Sequence, residues 1–219
     1  MGHQTAKSYR NLQKRLNDHA QGAPESSTLY RLLEVLFTEE EAGLVAQLPF
    51  RFFTARDAAR RWGTEVGEAT GILDELADKG ILLDIARRAG QAYVLAPTMA
   101  GFFEFSLMRL DGRFDKKVLA ELYYQYINGE DAFVQQVFGL TVPIDRVFVQ
   151  ERAIPANEAH LVLNHERASQ VVRTASAISV GTCYCRHKME HVGKACKAPS
   201  WSGVSSVGSY RSATTSGGA

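Results

Sequence analysis

The sequence predicts a mainly α protein with one small β-hairpin, followed by a helical connector and a short α/β segment that carries the cysteines. Apolar residues recur along much of residues 25–138 with the spacing of one helix face. Two strand-like runs, residues 81–85 and 91–95, are joined by a short segment that ends in Gly90, as in a hairpin. All three cysteines fall within 14 residues. These observations place a helical body before a compact cysteine cluster.

Residues 25–98 are divided by capping and turn signals into four helices that precede the hairpin. The third helix begins with a capping-box-like pair, Thr54 and Asp57, and Gly80 is the stop signal of the fourth. Helix, helix–turn–helix and hairpin follow one another in the order of a winged helix, so we expect a winged-helix-like domain over residues 25–98. The four predicted helices span residues 29–37, 38–48, 54–62 and 64–79.

Helical patterns continue beyond the hairpin. Residues 99–145 are expected to form a helical connector, because aromatic and apolar residues again recur at helical spacing. Its helices are predicted at residues 99–110, 115–129 and 131–138.

Residues 146–199 are expected to hold the cysteine site. They begin with an extended stretch, residues 146–154, and continue with a helix that Asn164 caps and that ends at Ala175. A short strand, Ile178–Val180, then leads into the cysteines.

Both ends of the chain are expected to be flexible. Residues 1–24 are basic and form a solvated tail or a frayed helix by this interpretation. Residues 200–219 contain seven Ser, four Gly and no apolar period, so they bury too little surface to offset the entropy of ordering. We expect this segment to be a disordered tail.

The overall charge gives no reason to expect an anionic partner. Lys and Arg number 25 against 24 Asp and Glu, so no net field attracts nucleic acid or a membrane surface. No stretch approaches the roughly 20 apolar residues of a membrane span, and the N-terminus lacks the apolar core of a signal peptide. We therefore expect a soluble, cytoplasmic protein without a membrane span.

The helix that would read DNA in a winged helix is acidic. One lysine, Lys79, opposes its five carboxylates, which phosphates would repel. Arginines at positions 87 and 88 of the wing and in the preceding helix are the features that favour DNA. On balance the sequence argues against DNA binding. The five carboxylates are Glu65, Glu68, Asp74, Glu75 and Asp78.

The spacing of Cys183, Cys185 and Cys196 favours metal ligation. An odd number of clustered cysteines without a signal peptide does not fit a secreted disulfide framework. Thiolates that converge on a compact core hold iron–sulfur clusters. A bent loop or a strand would let the first two cysteines face one centre, and a zinc site with His187 or His191 as fourth ligand is the alternative. A third interpretation is a winged-helix regulator whose cysteines sense metal or redox state.

The cysteine segment resembles a known family. It is similar to the bacterial and archaeal 4Fe-4S ferredoxin-type proteins that begin with a winged-helix-like domain and carry a C-x-C-R…G-x-x-C-x-x-P motif. The resemblance covers most of residues 29–199 and implies a 4Fe-4S cluster, electron transfer and a redox partner protein. The matching positions are Cys183, Cys185, Arg186, Gly193, Cys196 and Pro199.

Residues 200–219 depart from that family's pattern. The family continues with another cysteine soon after the proline and with a ferredoxin domain, whereas this tail has neither. We expect a truncated form that arises from a shifted reading frame. A cluster on three thiolates would then need its fourth ligand from a histidine, an exogenous group or a second chain. No nucleophile–base pair, phosphate loop or dinucleotide fingerprint is present, so no enzymatic reaction is assigned.

Overall fold

The computed structural model describes residues 6–87, 90–139, 152, 167–175, 178–198, 200 and 203–207. Over these ranges the protein is mainly helical with a small antiparallel hairpin, which confirms the predicted fold class. The elements are α1 Lys7–Asn17, α2 Ser27–Leu36, α3 Glu39–Val45, α4 Ala55–Trp62, α5 Val66–Asp78, β1 Leu82–Arg87, β2 Gly90–Leu95, α6 Phe103–Met108, α7 Lys116–Gly129, α8 Asp131–Phe133, α9 Ala168–Thr174, β3 Ile178–Gly181, α10 Tyr184–His191 and β4 Gly203–Val207.

Residues 1–24 were predicted to be a solvated tail or a frayed helix, and α1 is a helix that is packed rather than frayed. Its Tyr9, Leu12 and Leu16 are buried in the core. The Tyr9 hydroxyl donates to the carbonyl oxygen of Phe37 at 2.9 Å, and Arg15 Nε donates to that of Leu48 at 2.8 Å. The apolar spacing i, i+3, i+7 was present, but basic residues on the outer face obscured it.

Capping side chains position helices α2 to α4 close to their predicted starts. Ser26 caps α2 by accepting from the Leu29 amide. Thr38 and Thr54 open α3 and α4 with capping boxes, each satisfying backbone donors that the helix itself leaves unpaired. Gly63 and Gly80 follow α4 and α5 with φ of 71° and 79°, a conformation that glycine adopts without steric cost.

The hairpin lies against α5. Strands β1 and β2 pair from Leu82 opposite Leu95 to Arg87 opposite Gly90. Tyr93 on β2 is buried, pairs through its backbone with Phe53, and donates from its hydroxyl to Asp74 on α5 at 2.6 Å. The hairpin is thereby fixed to the helical body.

The predicted connector is part of the core. A π-helical turn, Thr98–Phe102, leads into α6, and another, Val134–Phe138, follows α8. The Phe103 ring lies 4.8 Å from that of Tyr123 and 5.9 Å from that of Tyr126, centre to centre. These buried rings join α6 and α7 to the same apolar cluster as α1 to α5.

The C-terminal elements are joined by a second antiparallel pair. β3 pairs with β4 from Ile178 opposite Val207 to Gly181 opposite Gly203, with an irregularity between Ser179 and Val180. Strand β4 therefore departs from the predicted disorder of residues 200–219. Apart from Arg152, the predicted extended stretch 146–154 lies outside the described residues, as does the predicted cap Asn164. Among the described helices, none has both the length and the apolar character to cross a membrane.

Candidate metal centre

The first two cysteines lie at the start of α10. Cys183 is the residue before the helix and is half-buried, and Cys185 is the second helical residue. The expected bent loop or strand is replaced here by a helix start, whose first turn also brings neighbouring side chains together. The carbonyl oxygen of Cys183 accepts from the His187 amide at 2.9 Å, which begins the helical ladder.

The pKa of the Cys185 thiol depends on burial and on the nearby Cys183. Partial desolvation raises the pKa of Cys185, and the charge of Cys183 raises it further, while Lys188 opposes the shift. The residue is exposed overall, yet its thiol is partly shielded from water. At neutral pH it is therefore protonated, and a bound metal would have to displace that proton.

The third cysteine lies on a segment that returns to the first. Gly193, with φ of 72°, reverses the chain after α10, and the Lys194 amide donates to the carbonyl oxygen of Met189 at 2.8 Å. Cys196 is exposed, and its Sγ donates to the carbonyl oxygen of Ala198 at 3.6 Å. Four residues after Cys196, the carbonyl oxygen of Ser200 accepts from the Cys183 amide at 2.6 Å.

All three cysteines thus lie on one connection. It runs between β3 and β4, and the hydrogen bond between Cys183 and Ser200 closes it beside the paired ends Gly181 and Gly203. A cleft of about 190 Å³ lies on its surface. The cleft is lined by Arg186, Glu190, Ala195, Cys196, Lys197, Ala198 and Ser200.

The three thiols are not arranged as a metal-binding group in the structure. Within the described parts of the chain, no group of three or more His, Cys, Asp or Glu side chains could hold a metal ion. A shared site of Cys183, Cys185 and Cys196 therefore stays a prediction. The structure gives a coupled pair at the helix start and a returning segment that carries the third thiol.

Helix α10 is positioned by contacts with α6 and α7. Tyr184, between the two cysteines, is buried with its ring 6.4 Å from that of Tyr123. Lys188 is also buried, with Nζ 5.0 Å from the Tyr184 ring centre, and desolvation lowers the pKa of this lysine. Lys194 Nζ donates to the Tyr124 hydroxyl at 2.6 Å. The burial of Tyr184 and Lys188 was not predicted, because neither residue belongs to an apolar stripe in the sequence.

The two histidines proposed as alternative fourth ligands contact each other. His187 Nδ1 lies 2.9 Å from the carbonyl oxygen of Leu107, which can only accept, so Nδ1 carries the proton. His187 Nε2 lies 3.0 Å from His191 Nε2. Burial lowers the pKa of His191, and the neighbouring His187 lowers it further. Neither ring belongs to a described metal-binding group that includes the cysteines.

Comparison of the chain with models of protein families, with curated proteins and with solved structures found no match.

Proposed function

We propose that this protein binds an iron–sulfur cluster through Cys183, Cys185 and Cys196 and serves in electron transfer with a redox partner protein. The observation that carries the proposal is the hydrogen bond of 2.6 Å between the Cys183 amide and the Ser200 carbonyl oxygen. It returns the segment that bears Cys196 to the start of α10, where the other two cysteines lie.

The chemistry of the donor set fits this cofactor. Thiolates are the ligands of iron–sulfur clusters, and a 4Fe-4S cluster takes four of them. The three cysteines would hold three iron atoms, and the fourth ligand would come from His187 or His191, an exogenous group or a second chain. Such a cluster supplies one-electron transfer. Zinc on the same thiols with one histidine is the alternative occupant.

Cationic side chains around the connection would tune that electron transfer. Arg186 and Lys197 line the cleft beside Cys196, and Lys194 lies on the same returning segment. Positive charge favours the more negative, reduced form of a cluster, so these residues would raise its reduction potential.

We further propose that the helical body, in which residues 25–98 are predicted to form a winged-helix-like domain, is a scaffold and not a DNA reader. Three α5 carboxylates have partners within the protein: Asp74 accepts from Tyr93, Glu75 lies 3.7 Å from Lys79, and Asp78 lies 3.8 Å from Arg113. They stabilise the body and repel phosphate. Electrophoretic mobility assays at physiological salt should detect no sequence-specific complex, and a salt-resistant one would contradict this proposal.

Anaerobic reconstitution with iron and sulfide tests the cluster proposal. The protein should turn brown, with a broad absorption band near about 400 nm and matching iron and sulfide contents. Single changes of Cys183, Cys185 or Cys196 to Ser should each lower the iron bound per chain. Thr182→Ser, beside the first cysteine, is the matched control and should bind iron as the unchanged protein does. Colourless protein that contains zinc would favour the zinc alternative, and unchanged iron in all three cysteine variants would refute both.

A variant with an added ligand tests the geometry of the connection. Ser200→Cys puts a fourth thiol on the residue whose carbonyl oxygen contacts the Cys183 amide. The cluster should then survive longer in air and hold more iron. Ser200→Ala removes the hydroxyl without adding a thiol and is the control. Equal lifetimes in the two variants would show that residue 200 is not close to the cluster.

A further inference from the structure

A pair of imidazoles on α10 lies apart from the thiols. His187 and His191 are four residues apart and therefore share one face of the helix. Both are half-buried, and their Nε2 atoms are 3.0 Å from each other. Their ring centres are 4.7 Å apart, so the rings converge at one edge.

We propose that His187 and His191 form a two-histidine chelate for a divalent transition metal ion of borderline softness, such as Zn²⁺, Ni²⁺ or Cu²⁺. Both Nε2 atoms coordinate the ion, and solvent completes its coordination. This site is separate from the cysteines and does not depend on a cluster being bound there.

The distance between the nitrogens matches what one ion requires. With metal–nitrogen bonds of about 2.0–2.1 Å, a tetrahedral angle separates two ligand nitrogens by about 3.3 Å, and a right angle separates them by about 2.9 Å. The observed 3.0 Å lies between these values. The spacing of the two nitrogens therefore fits one ion, and each ring has to turn from its hydrogen-bonded orientation so that both Nε2 lone pairs point at that ion. Imidazole nitrogens suit zinc, copper and nickel, which fixes the class of metal.

The contact with α6 prepares His187 for coordination. Its Nδ1–H donates to the carbonyl oxygen of Leu107 at 2.9 Å, which leaves the lone pair on Nε2. Metal-binding histidines commonly donate their other ring N–H in this way, and the bond fixes both tautomer and orientation. Without an ion, His191 Nε2–H donates to His187 Nε2. Metal binding requires that the His191 ring proton move to Nδ1, so the neutral pair gains an ion without net loss of a proton.

Charged groups of both signs lie near His191. Burial and the neighbouring His187 lower the pKa of this histidine, and Lys116 acts in the same direction, whereas the carboxylates of Glu190 and Asp115 favour positive charge there. Asp115 Oδ1 already accepts from the Lys117 and Val118 amides at the start of α7. In the part of the chain that the structure describes, no third side chain completes a metal group. The site is therefore open, and its ion exchanges with solution.

Titration of the full-length chain with Ni²⁺ and with Zn²⁺ tests the proposal. The thiols are first removed from the competition, either by alkylation with N-ethylmaleimide or in the triple variant C183S/C185S/C196S. Calorimetry should then show one ion per chain in both preparations. His191→Ala and His191→Gln should each weaken binding by about tenfold or more. His19→Ala, which removes another half-buried imidazole, is the matched control and should leave the affinity unchanged.

The outcomes separate this site from the proposed cluster. If thiol-blocked protein binds no ion, or if both His191 variants bind as tightly as the control, the chelate is refuted whatever the cysteines hold. If His191→Gln lowers the iron content after reconstitution, the imidazole belongs to the cluster and the separate site is refuted. Unchanged iron content together with lost Ni²⁺ binding is the expected result.

Discussion

The helical body, residues 6–139, and the cysteine-bearing region, residues 167–207, are held in place in different ways. In the body every long helix contributes a buried stripe to one apolar cluster. In the cysteine-bearing region, Tyr184 is the one described side chain that joins this cluster. Polar contacts also position this region, from His187 on α10 to Leu107 and from Lys194, just after α10, to Tyr124. The body is therefore stabilised by the apolar stripes of its own helices, whereas α10 is stabilised by its contacts with α6 and α7.

The largest effect should follow from damage to the body. Phe103 is fully buried against Phe102, Tyr123 and Tyr126. Phe103→Ala should lower the free energy of unfolding by about 3–5 kcal/mol, through lost burial and the cavity that remains. Urea denaturation followed by circular dichroism measures this change. Phe138→Ala, at a residue 58% exposed, should cost far less. Equal losses in the two variants would contradict the shared core.

A smaller effect should follow from weakening the docking of α10. Tyr184→Ala removes the buried ring from the contact with Tyr123 and should cost about 1.5–3 kcal/mol. Iron uptake should fall with it. Tyr184→Phe keeps the ring and removes a buried hydroxyl that has no hydrogen-bond partner among the described residues. It should be neutral or stabilising by up to about 1 kcal/mol. If the Ala variant loses no stability, α10 is not anchored by this ring.

A third change separates local helix stability from docking. Thr54 caps α4 by accepting from the Asp57 amide, so Thr54→Ala should cost about 1 kcal/mol. Thr54→Ser retains the hydroxyl and should cost little. Because α4 lies in the body, iron uptake by the folded protein should be the same in both variants. A selective loss of iron in Thr54→Ala would show that the two regions are coupled more tightly than their contacts indicate.

The smallest effect should come from pH. Burial lowers the pKa of His19 in the body and of His191 on α10, both from 6.5. The unfolded chain then binds protons more tightly than the folded one, so stability should fall as the pH drops from about 7.5 to about 6. His19→Ala and His191→Ala should each remove part of this slope. Denaturation midpoints at both pH values measure it, and an unchanged slope in both variants would show that other groups dominate.

Most helix boundaries of the body could be predicted from the sequence, because they depend on local signals. Capping residues and apolar stripes predicted α2 to α5. Thr38, Thr54 and the leucines of α2 could be used because each stabilises a helix through residues only a few positions away. The packing of α1 into the core was missed because its buried face is narrow and its exposed face is basic. The glycine stops were found because a left-handed turn favours glycine strongly.

The cysteine-bearing region was less predictable because its structure depends on distant contacts. The three cysteines were found from their spacing, but the start of α10 at Tyr184 was not. Nothing local showed that His187 meets Leu107, or that Ser200 returns to Cys183. The pairing of β4 with β3 was also missed, since the strand is rich in Ser and Gly and lacks an apolar alternation.

The bond between His187 and Leu107 spans 80 positions of the chain and sets an order of events during synthesis. At roughly 5–20 residues per second, a ribosome needs about 4–16 s to pass from one partner to the other. Packing of α6 on α7 takes far less time, because such local helical contacts form in microseconds to milliseconds. Helices α6 and α7 are therefore packed together before α10 is synthesised, and α10 docks on a surface that has already folded.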